Sequence, residues 1–321
     1  MACSGSGTSL LPRLNAPTTT TTSPPAVTTT VTVASTTTVP PTTTTTEAPR
    51  LPVAQFTGEE IATPMSRPAF LVKIDNHQLA RPQWGINQAD VVFEELVEAN
   101  MTRFAAIFHS RNVTDIGPVR SARTGDFDLL RNLNTPLFGN SGGNPTVMRL
   151  LDEVDMVLVG DTNVGRAAYR RSEEKEAPYN LLTGTGEIYA AADGRGGTPP
   201  QMFSYRTKGE SLPPSALPVV GVDIDYGGYQ ITYRWNDALQ GWARTQQDTE
   251  HVDHDGVQVA PENLIVQFVK YGQSVAYAGS PEVKLIGRGE AWVFTKGYLI
   301  AATWNRPTST NVTEFRDGDG A

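Results

Sequence analysis

The chain has 321 residues, a net charge of −8 and a single cysteine. Its acidic balance argues against nucleic acid and against a basic membrane-surface patch, and one cysteine excludes an internal disulfide. No stretch of the sequence approaches the roughly 18 apolar residues that a membrane-spanning helix needs. Stability must therefore come from a packed core, and the residues after the first fifty are numerous enough to build one.

The first fifty residues are rich in threonine and proline. They offer few large apolar side chains to bury, so residues 1–50 are predicted to form a disordered linker. Residues 51–66 are interpreted as a lead-in to the folded part. The linker would hold that part away from whatever the N-terminus is attached to.

Cys3 is the residue that indicates where in the cell the protein is located. It follows a small residue and precedes a small polar run, Ser4 to Gly7, which resembles the end of a lipobox whose cysteine is acylated. The charged start and apolar segment of a signal peptide are missing from the sequence. Either translation was assigned to begin late, or Cys3 is an ordinary free thiol. We favour a lipidated Cys3 that anchors an extracytoplasmic protein to the cell membrane.

Residues 67–210 predict a mixed-sheet α/β domain. Short apolar runs alternate with turns, and the first run, Ala69 to Ile74, indicates a buried strand that ends in the turn-forming Asp75 and Asn76. After a further segment at 91–110, the expected elements are, in chain order, a loop at 117–123, a helix at 125–133, a strand at 135–138, a Gly-rich turn at 139–144, a helix from Pro145 and a strand at 155–159.

The segment from Val91 to Ser110 fits either a helix or a hairpin. A helix would carry only a modest apolar stripe, whereas a hairpin that turns at Ala99 and Asn100 aligns Val and Phe side chains across the turn. We predict the hairpin, with Arg103 opposite Leu96. Its polar face would then bring two carboxylates beside one guanidinium: Glu94, Glu98 and Arg103.

Residues 211–321 predict a mostly antiparallel β domain. Strand patterns lie at 230–235, 241–244, 264–269, 291–294 and 298–302, the last two joined across a turn at 295–297. The chain stops at a turn-like sequence, so a final strand is expected to be absent. Four tryptophans would either form a sugar-stacking surface or lie in the core, and we favour the core: Trp235, Trp242, Trp292 and Trp304.

Several motifs, in order, resemble the YerB-like lipoprotein family. In the first domain they are Phe70 to Asn76, Arg81 to Gln83, Ala89 to Glu94, Thr102 to Phe104 and Ile116 to Arg123. Gly287 to Phe294 and Thr303-Trp304 resemble the companion C-terminal domain of that family. The resemblance implies an anchored extracytoplasmic protein of unknown function and no established activity.

The loop that holds Arg120, Ser121 and Arg123 is the strongest candidate site. Two guanidiniums and a hydroxyl immediately precede a predicted helix N-terminus, where free backbone N–H groups favour anions. Arginine suits bidentate contact with phosphate or carboxylate. The alternative is that both arginines only pair with Asp126, Asp128 or the hairpin glutamates.

Two further polar segments are expected at the same edge of the sheet. The Gly-rich turn from Asn140 to Asn144 lacks a P-loop pattern, so flexible entry into the helix explains it better than a nucleotide site. Ligands of α/β sheets nevertheless settle beyond the carboxyl ends of strands. Asp75, Asn76, Asn140 and the Arg120 loop are therefore expected to converge there.

Catalytic and metal chemistry have weaker support. Glu94 or Glu98, with Asp75 nearby, would serve as acid/base groups, but Arg103 between them favours a structural ion-pair cluster. The segment from His251 to Asp255 has enough donors for a metal, yet it also fits a solvated hairpin turn, which we favour.

These observations predict a non-enzymatic lipoprotein that binds an anionic envelope ligand, such as a glycan, phosphate or carboxylate, without cofactor or metal. The predicted ligand-binding residues are Arg120, Ser121, Arg123, Asp75, Asn76, Asn140 and Arg103. One alternative is a hydrolase or transferase acting on envelope polymers, with the arginines steadying negative charge. Another is a scaffold whose β domain docks an envelope protein.

Overall fold

A five-stranded mixed sheet forms the centre of the N-terminal part. The computed structural model describes residues 51–207 and 209–318. The sheet has the order β2-β3-β1-β4-β5, in which β1, β2 and β3 pair antiparallel while β4 and β5 run parallel to β1. Its strands are β1 (Phe70–Asp75), β2 (Val91–Leu96), β3 (Thr102–Phe108), β4 (Leu137–Gly139) and β5 (Val157–Leu158). The predicted mixed sheet is confirmed.

Both faces of this sheet are covered. The face that carries Phe70 packs against a small hairpin and the last helix, and the face that carries Leu71 packs against the first two helices. Every residue of β1 and β3 is therefore buried. The helices are α1 (Asp126–Arg131), α2 (Pro145–Leu151), α3 (Asp161–Val164) and α4 (Thr185–Ala192), and the small hairpin is β6 (Tyr169–Arg171) with β7 (Leu181–Thr183).

The hairpin of β2 and β3 is confirmed, but its predicted register is wrong. The loop contains three residues, Glu98–Asn100, of which Ala99 and Asn100 both have positive φ, 59° and 56°. Arg103 consequently lies opposite Glu95 and not opposite Leu96. The reason is that the loop takes one residue more than the two-residue turn assumed from the sequence.

This shift of one residue changes which side chains share a face. Glu94 lies on the opposite face of the sheet from Arg103, and Glu98 belongs to the loop. The predicted polar face of Glu94, Glu98 and Arg103 therefore does not form. Glu95 takes the position beside Arg103 instead.

The C-terminal part consists of antiparallel pairs, as predicted. Four strands form one sheet, five form a second, and two form a separate hairpin. The strands are β8 (Leu217–Pro218), β9 (Gly221–Asp225), β10 (Gln230–Asn236), β11 (Gly241–Gln246), β12 (Thr249–Glu250), β13 (Asn263–Gln267), β14 (Lys270–Gln273), β15 (Pro281–Lys284), β16 (Gly287–Thr295), β17 (Tyr298–Arg306) and β18 (Glu314–Asp317).

The tryptophans of this part belong to its core. Trp242 and Trp304 are buried. Trp235 packs edge-to-face on Trp242, and Trp292 does the same on Phe294. The core interpretation is confirmed, because two of these rings are buried and the other two pack against core rings.

The described residues belong to one compact unit. The predicted boundary between residues 210 and 211 stays a prediction. Within the described ranges, every helix is too short or too polar to span a bilayer. Cys3 and the 1–50 linker lie outside the described residues.

Candidate functional site

A row of charged side chains crosses three strands on the Leu71 face of the sheet. Asp75 of β1 and Glu95 of β2 both lie opposite Arg103 of β3. Since successive side chains of a strand alternate between faces, Asp75 points to this side while Asn76 points to the other. The sheet therefore fixes a carboxylate, a guanidinium and a second carboxylate at neighbouring positions.

Arg120 reaches this row from the loop after β3. Its backbone N–H donates to the carbonyl of Lys73 (2.9 Å), which places the side chain at the end of β1. The guanidinium Nε lies 3.0 Å from Asp75 Oδ2 and the guanidinium carbon lies 5.8 Å from the ring centroid of Tyr179. Arg120 and Asp75, both predicted ligand residues, are thus partners of each other.

Arg123 pairs with Glu98 at the tip of the hairpin. Its Nε donates to Glu98 Oε1 (2.8 Å), Nη2 donates to Oε2 (3.0 Å), and Nη1 donates to the carbonyl of Ala122 (3.0 Å). Arginine has five N–H donors, so two remain, and about a fifth of its side chain is exposed. The alternative that a hairpin glutamate pairs with this loop is therefore realised for Arg123.

The low pKa of Glu98 argues against a role as general acid, the alternative considered from the sequence. Burial by itself would raise the pKa, but hydrogen bonds from Arg123, from the backbone and from Ser280 outweigh burial and lower the pKa to about 2. A carboxyl group with so low a pKa is ionised at neutral pH and has no proton to donate.

Arg103 differs from the other two arginines. Its Nη1 donates to the carbonyl of Ser121 (3.4 Å), and it forms no ion pair with a carboxylate in the described part of the chain. Burial lowers its pKa, as do Arg123 and Arg120, to about 10, which leaves it charged at neutral pH. Asp75 and Glu98 therefore pair with Arg120 and Arg123, while Glu95, which lies opposite Arg103, is paired with Lys73.

A cleft of about 400 Å³ opens at Arg123, the one arginine of this cluster among its lining residues. It lies between the loop of Ser121 and Arg123 and the turn that joins β14 to β15, and a hydrogen bond from Thr124 to Ser274 (2.9 Å) ties the two together. The lining residues are Glu98, Ser121, Arg123, Asn144, Val147, Ser274, Ala276, Tyr277 and Ser280. The cleft thus combines predicted residues with a turn some 150 positions further along the chain.

A second charged cluster lies deeper on the same face. Lys73 forms ion pairs with Glu95 (2.7 Å) and Asp126 (2.8 Å), and all three side chains are buried. Burial is the main cause that raises the pKa of Glu95 to about 7; Lys73 lowers this pKa and Asp126 raises it. Sequence reasoning missed this cluster, although a lysine inside the apolar strand Phe70–Asp75 is a usable signal for a buried cation with partners.

The predicted helix N-terminus is not an open anion site. The Oδ2 atom of Asp126 accepts a hydrogen bond from the backbone N–H of Arg123 (2.7 Å). The first turn of α1 therefore carries its own carboxylates, Asp126 and Asp128. Any anion that binds near this loop must rely on the guanidiniums.

Asn140 holds the Gly-rich turn in place but is not part of the cleft. It is fully buried, its Oδ1 accepts from the backbone N–H of Gly142 (2.9 Å), and it does not line the cleft. The neighbouring backbone of Ser141 donates to the carbonyl of Arg120 (3.0 Å). The predicted convergence of the two loops is therefore seen in the backbone, while the Asn140 side chain faces inward.

Asn76 and Glu94 lie in a separate network on the Phe70 face. Oε1 of Glu94 accepts from Arg244 (2.8 Å), Thr102 (2.7 Å) and Asn76 (3.2 Å). Arg244 comes from β11, so this network joins the N-terminal and C-terminal parts. A glutamate held in this way is a structural group rather than a free acid/base catalyst.

The His251 segment also belongs to this network. His251 is buried, with ring nitrogens near Arg244 (2.6 Å) and Gln83 (2.7 Å). Burial, Arg244 and Arg81 lower its pKa to about 2, so it is neutral. The turn predicted here is present and its corner, Asp255-Gly256, is exposed, whereas His251 and Asp253 are buried. No His, Cys, Asp and Glu group among the described residues is arranged to hold a metal.

One family matches both parts of the chain. The N-terminal domain of the protein of unknown function DUF3048 matches residues 56–198, and its C-terminal domain matches residues 222–321. "Putative lipoprotein YerB" of Bacillus subtilis (strain 168) is 27% identical over 265 residues, which cover 78% of this chain and 76% of the relative. The crystal structure of YerB protein from Bacillus subtilis has a TM-score of 0.68 and 25% identity, covering 81% of this chain and 89% of that one.

The fold and these matches define a protein with a mixed α/β part followed by an antiparallel β part. The chain belongs to the DUF3048 family. The resemblance to YerB-like lipoproteins that the sequence motifs indicated is confirmed. The name of the Bacillus subtilis relative states a lipoprotein, and neither name gives a ligand or reaction.

Proposed function

We propose that this protein is a non-enzymatic lipoprotein, anchored outside the cytoplasm through Cys3, whose α/β part binds an anionic envelope ligand in the cleft beside Arg103. Arg123 and Ser121 would contact the ligand, and Arg103 with Arg120 would supply the surrounding positive charge. Asp75 would hold Arg120 in place. Neither a cofactor nor a metal is part of the proposal.

The observation that carries this proposal is the unequal number of charges next to an open cleft. Asp75 and Glu98 pair with two of the three guanidiniums, Glu95 opposite Arg103 is paired with Lys73, and Arg103 is buried without an ion pair among the described residues. A buried charge without a partner is costly, so a bound anion would lower the free energy of the cluster. Arginine also binds carboxylate and phosphate with good geometry.

Arg103→Gln tests the binding site. The full chain is titrated with inorganic phosphate and with acetate, and binding is followed by calorimetry or NMR. We expect Arg103→Gln to weaken both by about tenfold or more, the equivalent of ~1.4 kcal/mol. Arg131→Gln, which removes a half-exposed arginine paired within α1, is the control and should bind as the wild type does.

Two results would contradict the site. One is a wild-type chain that shows no saturable binding of either anion. The other is equal weakening by Arg103→Gln and Arg131→Gln, which would indicate a general charge effect. If Arg103→Gln fails to fold, the double variant Glu98→Gln, Arg123→Gln removes a paired contact at constant net charge and should still weaken binding.

The anchor is tested separately on protein taken from the membranes of its own cells. Mass spectrometry of the N-terminal peptide should find Cys3 as the modified first residue with acyl chains attached. An unmodified Cys3 thiol, or recovery of the protein in the aqueous phase of a detergent separation, would contradict the anchor and leave the anion site untouched.

A further inference from the structure

The C-terminal wall of the cleft presents an exposed aromatic ring. Tyr277 is 57% exposed and begins a turn in which the N–H of Ser280 donates to its carbonyl (2.9 Å). A Cβ atom added to Gly279 would lie 2.8 Å from the tyrosine ring. The ring therefore rests directly on Gly279, which fixes its orientation, and the rest of the ring is open to solvent.

The remaining lining offers hydroxyl groups and small apolar groups. Ser121, Ser274 and Ser280 can each donate and accept hydrogen bonds, which is what the hydroxyls of a sugar require. Val147 and Ala276 add small apolar contacts. None of the lining residues belongs to a β-strand, so the cleft provides no strand edge with which an extended peptide could pair.

The number of charges in the arginine cluster favours a ligand with one negative charge. Asp75 and Glu98 pair with two of its three guanidiniums and Glu95 is paired with Lys73, so Arg103 leaves a local surplus of one positive charge. A carboxylate would match this surplus. A phosphate monoester carries about −1.5 to −2 at neutral pH and would bring the excess close to Asp75 and Glu98.

We infer that the ligand is a glycan that carries a carboxylate, with a sugar ring lying on Tyr277 and its carboxylate held at Arg123 in the field of Arg103. This inference rests on the proposed anion site and narrows its ligand class. The apolar C–H face of the ring would contact the aromatic ring. The sugar hydroxyls would exchange hydrogen bonds with Ser121 and Ser280, and Glu98 would accept from one of them.

Three small probes separate the parts of this inference. Acetate supplies the anion alone, methyl β-glucoside supplies the ring alone, and methyl β-glucuronide supplies both. We expect the full chain to bind the glucuronide at least about tenfold more tightly than acetate, a difference of ~1.4 kcal/mol, and to bind the glucoside most weakly.

Variants of the turn assign the sugar contact. Tyr277→Ala should weaken glucuronide binding about tenfold, again ~1.4 kcal/mol, and leave acetate binding unchanged. Gly279→Ala retains the tyrosine but displaces its ring, so it should have the same effect. The matched controls are Tyr298→Ala, an exposed tyrosine of β17, and Gly186→Ala, which has open space around it.

Each outcome decides one claim. Glucuronide binding no tighter than acetate, or unchanged by Tyr277→Ala and Gly279→Ala, would overturn the glycan inference while the anion site stands. A wild-type chain that does not bind acetate would overturn the anion site itself. Tighter binding of inorganic phosphate than of the glucuronide would assign the cleft to phosphate instead.

Discussion

The two faces of the central sheet both bury charged side chains, but they balance them differently. On the Phe70 face, Glu94 meets Arg244 in a closed network whose histidine, His251, is neutral. On the Leu71 face, Arg103 has no ion pair of its own in the described part of the chain, and it donates to the carbonyl of Ser121, a residue that lines the cleft. Breaking a matched and enclosed pair should destabilise the fold, whereas the unpaired charge near open space is the basis of the proposed anion site.

The positive surplus at Arg103 is balanced by a negative surplus at the Lys73 cluster on the same face. Lys73 faces two carboxylates, Glu95 and Asp126, so one negative charge is in excess there. Arg103 lies opposite Glu95 in the sheet. The positive surplus therefore lies near the cleft and the negative surplus lies deeper, so Glu95 and Asp126 are not among the residues that line the cleft.

The largest effect is expected from breaking the closed network. Glu94→Ala would leave Arg244, whose side chain is 2% exposed, without a carboxylate. We expect the free energy of unfolding to fall by about 3–5 kcal/mol, the usual loss when one partner of a buried pair is removed. Urea denaturation followed by circular dichroism measures this change.

Glu98→Ala is the matched comparison on the other face. Its side chain is 28% exposed, so the stability loss should be about 1 kcal/mol or less. Anion binding should become tighter, because a negative charge leaves the cleft. Equal stability losses from Glu94→Ala and Glu98→Ala would show that the two faces do not differ in the way argued above.

The deeper cluster predicts a pH dependence of intermediate size. The pKa of Glu95 is about 7 in the folded protein and 4.5 for the free side chain, so between these values the folded state binds more protons than the unfolded state. Stability should fall as pH rises from about 4.5 to about 7. Glu95→Gln should flatten this slope in denaturation curves recorded at several pH values.

Protonation of Glu95 should also change the affinity of the cleft for acetate. Protonation of Glu95 below pH 7 removes the negative charge opposite Arg103, so acetate should bind more tightly at pH 6 than at pH 8. The other groups that face Glu95 are Lys73, Asp126 and, from β14, Tyr271. A wild-type acetate affinity that does not change over this range, or one that changes equally in Glu95→Gln, would show that Glu95 is not coupled to the cleft.

Local signals predicted the elements of the fold well. The buried strand that ends at Asp75, the hairpin, and the helix that begins at Pro145 each depend on short-range patterns that the structure confirms. The hairpin register was not predictable in the same way. It depends on whether Ala99 and Asn100 alone make the turn or share the loop with Glu98, and one residue exchanges Glu94 and Glu95 between faces.

The site was predictable only in part. Arg120 and Arg123 stand out as a local motif, and the structure does place them near one another. Their partners come from other elements, so the sequence pattern did not show that Asp75 and Glu98 compensate them. The wall that carries Tyr277 is about 150 residues away, and its position depends on how β14 and β15 pack on the α/β part, which no local pattern records.

The smallest effect is expected at Asn144, where two substitutions can separate a structural role from a binding role. Asn144 lines the cleft and also caps α2, because its side chain accepts from the N–H of Thr146 (2.9 Å). Asn144→Ala should cost about 1 kcal/mol of unfolding free energy through loss of the cap. Asn144→Asp keeps the cap, so its stability should equal that of the wild type within error.

For the same two substitutions, acetate affinity should change in the opposite order to stability. Asn144→Asp places a negative charge in the cleft and should weaken acetate binding severalfold, most clearly at low ionic strength where charges are least screened. Asn144→Ala leaves the charge unchanged and should bind acetate as the wild type does. If Asn144→Asp binds acetate normally, the anion does not enter this cleft, and the surplus charge of Arg103 must be compensated from elsewhere in the chain.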